Sequence, residues 1–123
     1  MGIDVHALKF LQFSKNKKAF KNTVTIGRQE LLLTESNVRK IIRTEQDYKI
    51  QNYCEDLLIK YMSATSVESI DSNDYESSTH IADMNEPLPQ NLFGKYDTVI
   101  DGGTLEHIFN VPQAFKNCSL LNS

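Results

Sequence analysis

Apolar and polar positions change period several times along the chain, and each change marks an element. From Asp4 to Ser14, Leu8 and Leu11 share one side with Val5 and Ala7 nearby, which predicts a short amphipathic helix. Lys15 to Asn22 is polar and reads as a connection. Thr23-Val24-Thr25-Ile26 is a β-branched run closed by Gly27, the pattern of a buried strand ending in a turn. Leu31 to Leu33 is too short to assign by period. Thr34 or Ser36 can cap a helix whose inward face is Val38, Ile41 and Ile42. A longer helix is expected over Gln46 to Met62, where Ile50, Cys54, Leu57, Leu58 and Tyr61 make a stripe at helical spacing.

The second half alternates strands and turns. Thr65 to Ile70 predicts a strand stopping at Asp71, and Ser72-Asn73-Asp74 is turn chemistry. Thr79 to Ala82 predicts a short strand stopping at Asp83. Pro87 and Pro89 lack donors and bar both helix and central strand. Tyr96 to Ile100 predicts a fourth strand, stopping at Asp101. Val111 to Leu121 predicts a helix with Val111, Ala114, Phe115 and Cys118 inward. Strands interleaved with helices indicate an α/β fold with a mostly parallel sheet and helices on both faces. The strands lack clean alternation, as a sheet covered on both faces requires. The whole chain, residues 1–123, is read as one domain.

Composition narrows the function. The formal charge of -3 disfavours a polyanion binder, and Lys15, Lys17, Lys18 and Lys21 read as a solvated helix end or loop, so no nucleic-acid partner is expected. Cys54 and Cys118 have no partner at metal-ligand spacing and read as core residues in a reducing cytoplasm. No histidine spacing supports a metal site, and His6 and His80 read as structural. No apolar run approaches the ~20 residues of a membrane span. The N-terminus lacks signal-peptide features, so a cytoplasmic location away from membranes is expected.

The chemistry lies in the residue that closes each strand: Gly27, Asp71, Asp83 and Asp101. In a parallel sheet these positions share the carboxyl edge, where open α/β folds bind ligands. Several acids without a basic anchor suit a neutral polyol or a cation better than a phosphate. No Walker loop is present, and no glycine triplet of the dinucleotide type follows the first strand. Carboxylates accept hydrogen bonds from ribose hydroxyls and from an exocyclic amine, each worth roughly 1.5–3 kcal/mol.

Three segments carry a family resemblance: Val67-Glu68-Ser69-Ile70-Asp71, then His80-Ile81-Ala82-Asp83-Met84-Asn85-Glu86-Pro87-Leu88-Pro89, then Tyr96 to Pro112. Together they resemble a class I S-adenosylmethionine-dependent methyltransferase, a Rossmann-like fold. The run Asp101-Gly102-Gly103-Thr104-Leu105-Glu106-His107-Ile108-Phe109-Asn110 is the most specific part. The resemblance covers roughly Thr23 to Leu121. It implies S-adenosylmethionine as cofactor, with Asp71 on its ribose, Asp83 on the adenine amine and the Met84 backbone at the ring. It further implies Asp101, Gly102 and Gly103 beneath the methionine moiety, and Glu106 and His107 on the substrate side as catalytic candidates, with His107 a base if the acceptor must lose a proton.

The chain departs from the family twice. At the first loop, Thr25-Ile26-Gly27-Arg28-Gln29-Glu30 keeps only Gly27. Arg28 pairs there with the carboxylate of the methionine moiety or stays a solvated loop residue. The family sheet has seven strands in the order 3-2-1-4-5-7-6, and this chain offers the first four, giving a partial sheet of order 3-2-1-4. The fourth strand then becomes an apolar edge. Three outcomes are expected: a fragment of a longer enzyme, a homodimer through that edge, or chain ends folded over it. The acceptor expected by analogy is a small molecule or sugar. Two other functions fit the same residues: a non-catalytic assembly module of this fold, and a small ribose- or sugar-binding domain.

Overall fold

The fold is that of a computed structural model in which residues 2–123 are described, Glu106 by its backbone alone. The chain opens with a two-residue strand β1 (Gly2–Ile3) and helix α1 (Val5–Lys17). Asp4 caps α1 by accepting from the Ala7 N–H at 2.8 Å. The helix continues through Lys15 and Lys17, where a connection was expected. Cations in a last helical turn face the negative end of the helix dipole, which favours the extension.

Strand β2 (Lys21–Ile26) comes next, then β3 (Glu30–Leu31), α2 (Glu35–Ile42), α3 (Glu55–Tyr61) and β4 (Ala64–Asp71). The rest is β5 (His80–Ile81), β6 (Thr98–Asp101) and α4 (Val111–Leu121), with one-turn 3-10 helices at Gln90–Leu92 and Leu105–His107. Thr34 caps α2 in a reciprocal box with Asn37, each side chain accepting from the other's backbone N–H at 3.1 Å.

β5, β4, β2 and β6 lie side by side in that order, all parallel. Counted within this sheet alone, the succession is third, second, first, fourth. β1 and β3 form a separate parallel pair, so the described residues hold six strands where four were expected. One sheet face packs Leu8, Leu11, Val38, Leu57 and Met62 from α1, α2, α3 and the turn after α3. The other packs Met84, Leu92, Tyr96, Ala114 and Leu121 from α4 and the segment before β6. The domain is therefore α/β with a Rossmann-like parallel sheet flanked by helices.

Three expectations need correction. The helix expected over Gln46 to Met62 exists only as α3. Leu31 donates to Asn52 O, Cys54 donates to Gln29 O, and Glu30 bridges Tyr53 in antiparallel fashion. Those backbone bonds, together with the burial of Tyr48, hold residues 44–53 in an irregular path that overrides the helical stripe. On α4, Phe115 is 60% exposed and Val111 also faces outward. The inward stripe is Ala114, Asn117 and Leu121. Tyr96 lies outside the ladder of β6 and instead bridges Asn122 in parallel, with Tyr96 N donating to Leu121 O and Ser123 N to Tyr96 O. The last residues thus run beside the start of that edge. From Thr98 onward, β6 pairs only with β2 among the described residues.

Candidate functional site

The register aligns the strand tips. Ile26 sits opposite Ile70 on one side and Asp101 on the other, while Asp71 sits opposite Ile81. With neighbouring strands about 4.8 Å apart, these ends form one row at the carboxyl edge. A cavity of about 420 Å³ opens there, lined among others by Ile26, Asp71, Asp83, Met84, Thr104 and His107.

Each acid is held by its own loop. Asp71 Oδ1 accepts from Ser72 N at 2.8 Å. Asp83 Oδ1 accepts from Asn85 N at 2.9 Å and from Asn85 Nδ2 at 3.0 Å. Both carboxylates keep acceptor capacity for a ligand, since an ionised carboxylate has about four lone-pair sites. Asp101 is engaged more fully. Its Oδ1 accepts from the backbone N–H groups of Gly103 at 3.3 Å, Thr104 at 2.8 Å and Leu105 at 3.3 Å. It thereby shapes the turn that presents His107. Thr104 Oγ1 donates to Ile26 O at 2.8 Å and pins that turn to β2.

The expected site residues do not all meet. Asp71, Asp83, Met84 and His107 share the cavity. Asp101 and Gly102 line a neighbouring groove of about 420 Å³ between β6 and α1, beside Ile3, Phe10 and Leu11. Gly103 (φ 119°) lies in the turn next to them. Gly27 is buried at the tip of β2 in the left-handed region (φ 76°), donating to Ile70 O at 2.7 Å. The side chain of Glu106 lies outside the described residues.

Arg28 turns away from the crevice. Its Nε donates to Glu55 Oε1 at 2.6 Å and its Nη1 to Glu76 O at 2.7 Å, and the guanidinium lies 3.9 Å from the Tyr53 ring centre. It is partly buried against those partners and does not line the cavity. With its charge paired there, the carboxyl edge carries Asp71, Asp83 and Asp101 without a compensating cation in the cavity lining. Among the described residues, no three His, Cys, Asp or Glu side chains group to hold a metal ion.

Three residues missed in the sequence build the walls. Gln29 is fully buried, and its Nε2 donates to Ile26 O at 3.2 Å and Gly27 O at 3.1 Å. Asn117 is also fully buried, donating from Nδ2 to Met84 O at 3.2 Å and Glu86 O at 2.9 Å. Asn85 Oδ1 accepts from Asn110 N at 2.7 Å, which ties the loop after β5 to the start of α4. Asn117 left a signal in the sequence: it is a polar residue three positions after Ala114 on an inward stripe. Gln29 left none, because only the approach of two loops buries it.

A second titratable group lies on β4, β5 and the approach to β6. Tyr96 Oη donates to Glu68 Oε1 at 2.6 Å, and His80 Nε2 meets the same oxygen at 2.8 Å. These bonds hold the Glu68 carboxyl below its ordinary range, the Tyr96 hydroxyl contributing most. Burial and the Glu68 charge push the Tyr96 hydroxyl well above its ordinary value. None of the three lines the crevice. No helix is long and apolar enough to cross a membrane among the described residues.

No known family model, curated protein or solved structure matches this chain.

Proposed function

We propose that the carboxyl-edge cavity binds the adenosyl part of S-adenosylmethionine and that the domain belongs to a methyl-transfer system. One observation carries the reading: Asp71 and Asp83 from two separate strand tips line one cavity with Met84 and His107. A volume of about 420 Å³ falls within the range of small-molecule sites. Asp71 is suited to accept from the ribose hydroxyls and Asp83 from the adenine amine, and the acidic edge suits a cationic donor. S-adenosylmethionine, when bound, would supply an electrophilic methyl group: an acceptor's lone pair would bond to the methyl carbon as the carbon–sulfur bond breaks toward sulfur, with S-adenosylhomocysteine as the leaving group. The residues contribute alignment above all, because such a displacement depends on the line of acceptor, methyl and sulfur. His107 stands in the lining where it can take a proton from an acceptor hydroxyl or amine. The acceptor proposed is a small molecule or sugar.

Calorimetry with S-adenosylmethionine and S-adenosylhomocysteine tests this reading. Binding of either with a dissociation constant below about 1 mM is expected. Absence of heat with both at millimolar ligand overturns it. A second reading, binding without turnover in an assembly module, is favoured by Gln29, which occupies the loop after β2 where the family has glycines. Methyl transfer to an acceptor in a labelled extract removes that second reading.

A further inference from the structure

We infer that the cleft between α1 and α2 is a separate anion site, fitted to a phosphate-bearing ligand. It is a cavity of about 570 Å³, larger than the one at the strand tips. Lys9, Gln12, Phe13 and Asn16 face it from α1 at spacings of three, one and three residues, one side of a helix. Lys40, Ile41 and Arg43 close it from the end of α2. α1 runs into the start of β2 through Lys18 to Phe20, so this end lies toward the amino edge of the sheet, opposite the strand tips.

The charges are one-sided. Lys9, Lys40 and Arg43 line the cleft, and among the described residues no carboxylate does. This occurs in a chain with 16 acidic and 13 basic side chains. The two ion pairs among the described residues, Arg28 with Glu55 and His80 with Glu68, involve none of these cations. Like charges gathered without a counter-charge repel, and a bound anion relieves that repulsion. The dipole of α2 accounts for cations at its own last turn, but Lys9 lies in the body of α1 and answers to no helix end.

Two further features shape the ligand. Gln12 and Asn16 add side-chain amides to the lining, groups that can bond a ligand hydroxyl. Phe13 is 60% exposed and forms an apolar wall with Ile41. Arg43 also holds a left-handed backbone (φ 60°), a conformation that glycine would adopt with less strain. A phosphate ester with hydroxyls and an apolar surface matches this set. Lys and Arg are the side chains that recognise phosphate oxygens.

The test is an amide NMR titration of the full chain with pyrophosphate, followed over residues 9–16 and 39–44. Saturable shifts confined to those amides are expected, with a midpoint below about 1 mM that weakens when NaCl rises from about 50 to 300 mM. Lys9→Gln and Arg43→Gly are each expected to weaken binding about fivefold or more. Arg43→Gly also fits the local backbone, so its fold is preserved. No saturable shift, shifts unchanged in both variants, or shifts centred on the strand tips overturn the site. Sedimentation with phosphatidylcholine vesicles, with and without a phosphorylated inositol lipid, separates the sources. Sedimentation competed by pyrophosphate assigns a lipid headgroup, and none assigns a soluble phosphate ester. Binding that grows with oligonucleotide length while pyrophosphate has no effect overturns the proposal in favour of a polyanion track.

Discussion

The side-chain oxygen of Gln29 occupies the space a β-carbon would take at Gly102, so the turns at the tips of β2 and β6 pack as one unit. A methyl group at Gly102 would meet Gln29 Oε1 and would lie 2.8 Å from Gln29 Cδ. Gln29 cannot swing aside freely, because it is fully buried and bonded to Ile26 O and Gly27 O. Gly102→Ala should therefore destabilise the domain by about 1–3 kcal/mol through overpacking. Urea denaturation measures this. Adding Gln29→Ala should return part of the loss, and strict additivity of the two changes would contradict the contact.

Asn117 fastens the far wall of the crevice to α4 by its bonds to Met84 O and Glu86 O. Asn117→Ala should cost about 1–3 kcal/mol by leaving buried carbonyls unpaired. It should also weaken S-adenosylmethionine binding at fixed temperature, since Asp83 and Met84 share that loop. A variant with lowered stability and unchanged affinity would separate the wall from the site.

Asp71→Asn and Asp83→Asn should each weaken S-adenosylmethionine by roughly 1.5–3 kcal/mol, the worth of a charged hydrogen bond. Their melting temperatures should change little, because among the described residues each side chain bonds within its own loop. Calorimetry beside thermal melting distinguishes the two effects. Equal losses in both measurements would assign these acids a structural role.

Glu68 links part of the stability to pH. Its carboxyl is held low first by the Tyr96 hydroxyl, with His80 and Lys95 acting in the same direction and burial opposing them. A folded-state pKa below the unfolded value adds stability that is present above the unfolded carboxyl range, about 4.3, and is lost as pH falls through the folded value. Tyr96→Phe removes the main cause. It should raise the Glu68 pKa toward its unfolded value and so shrink the stability that is lost as the pH falls. An NMR titration of the Glu68 carboxyl that is identical in wild type and Tyr96→Phe would refute the assignment.

Cys54 is 1% exposed, and burial pushes its thiol up to about 12. Cys118 is half-buried with its thiol also raised, chiefly by burial. Thiolate, the reactive form, is scarce at both. Under iodoacetamide, Cys118 should react slowly in the folded protein and Cys54 only after unfolding, as read by intact mass. Rapid double labelling of the native chain would disagree with this packing.

Local pattern determined much of this molecule. β-Branched runs closed by glycine or aspartate marked β2, β4 and β6, and the helical span Val111–Leu121 marked α4 although its inward face was misassigned, because side-chain period and turn chemistry act over a few residues. The same runs placed Asp71, Asp83 and Asp101 at one edge, since parallel strands end together. Only the tertiary structure decided the rest. It replaced the helix expected from Gln46 with a path stitched to Gln29 and Leu31, because backbone pairing with a distant segment outweighs a helical stripe. It turned Arg28 toward Glu55, buried Gln29 beneath Gly102, and brought Lys9 to Lys40 and Arg43 across two helices. Those relationships depend on three-dimensional distance between residues far apart in sequence, and no local period encodes that distance.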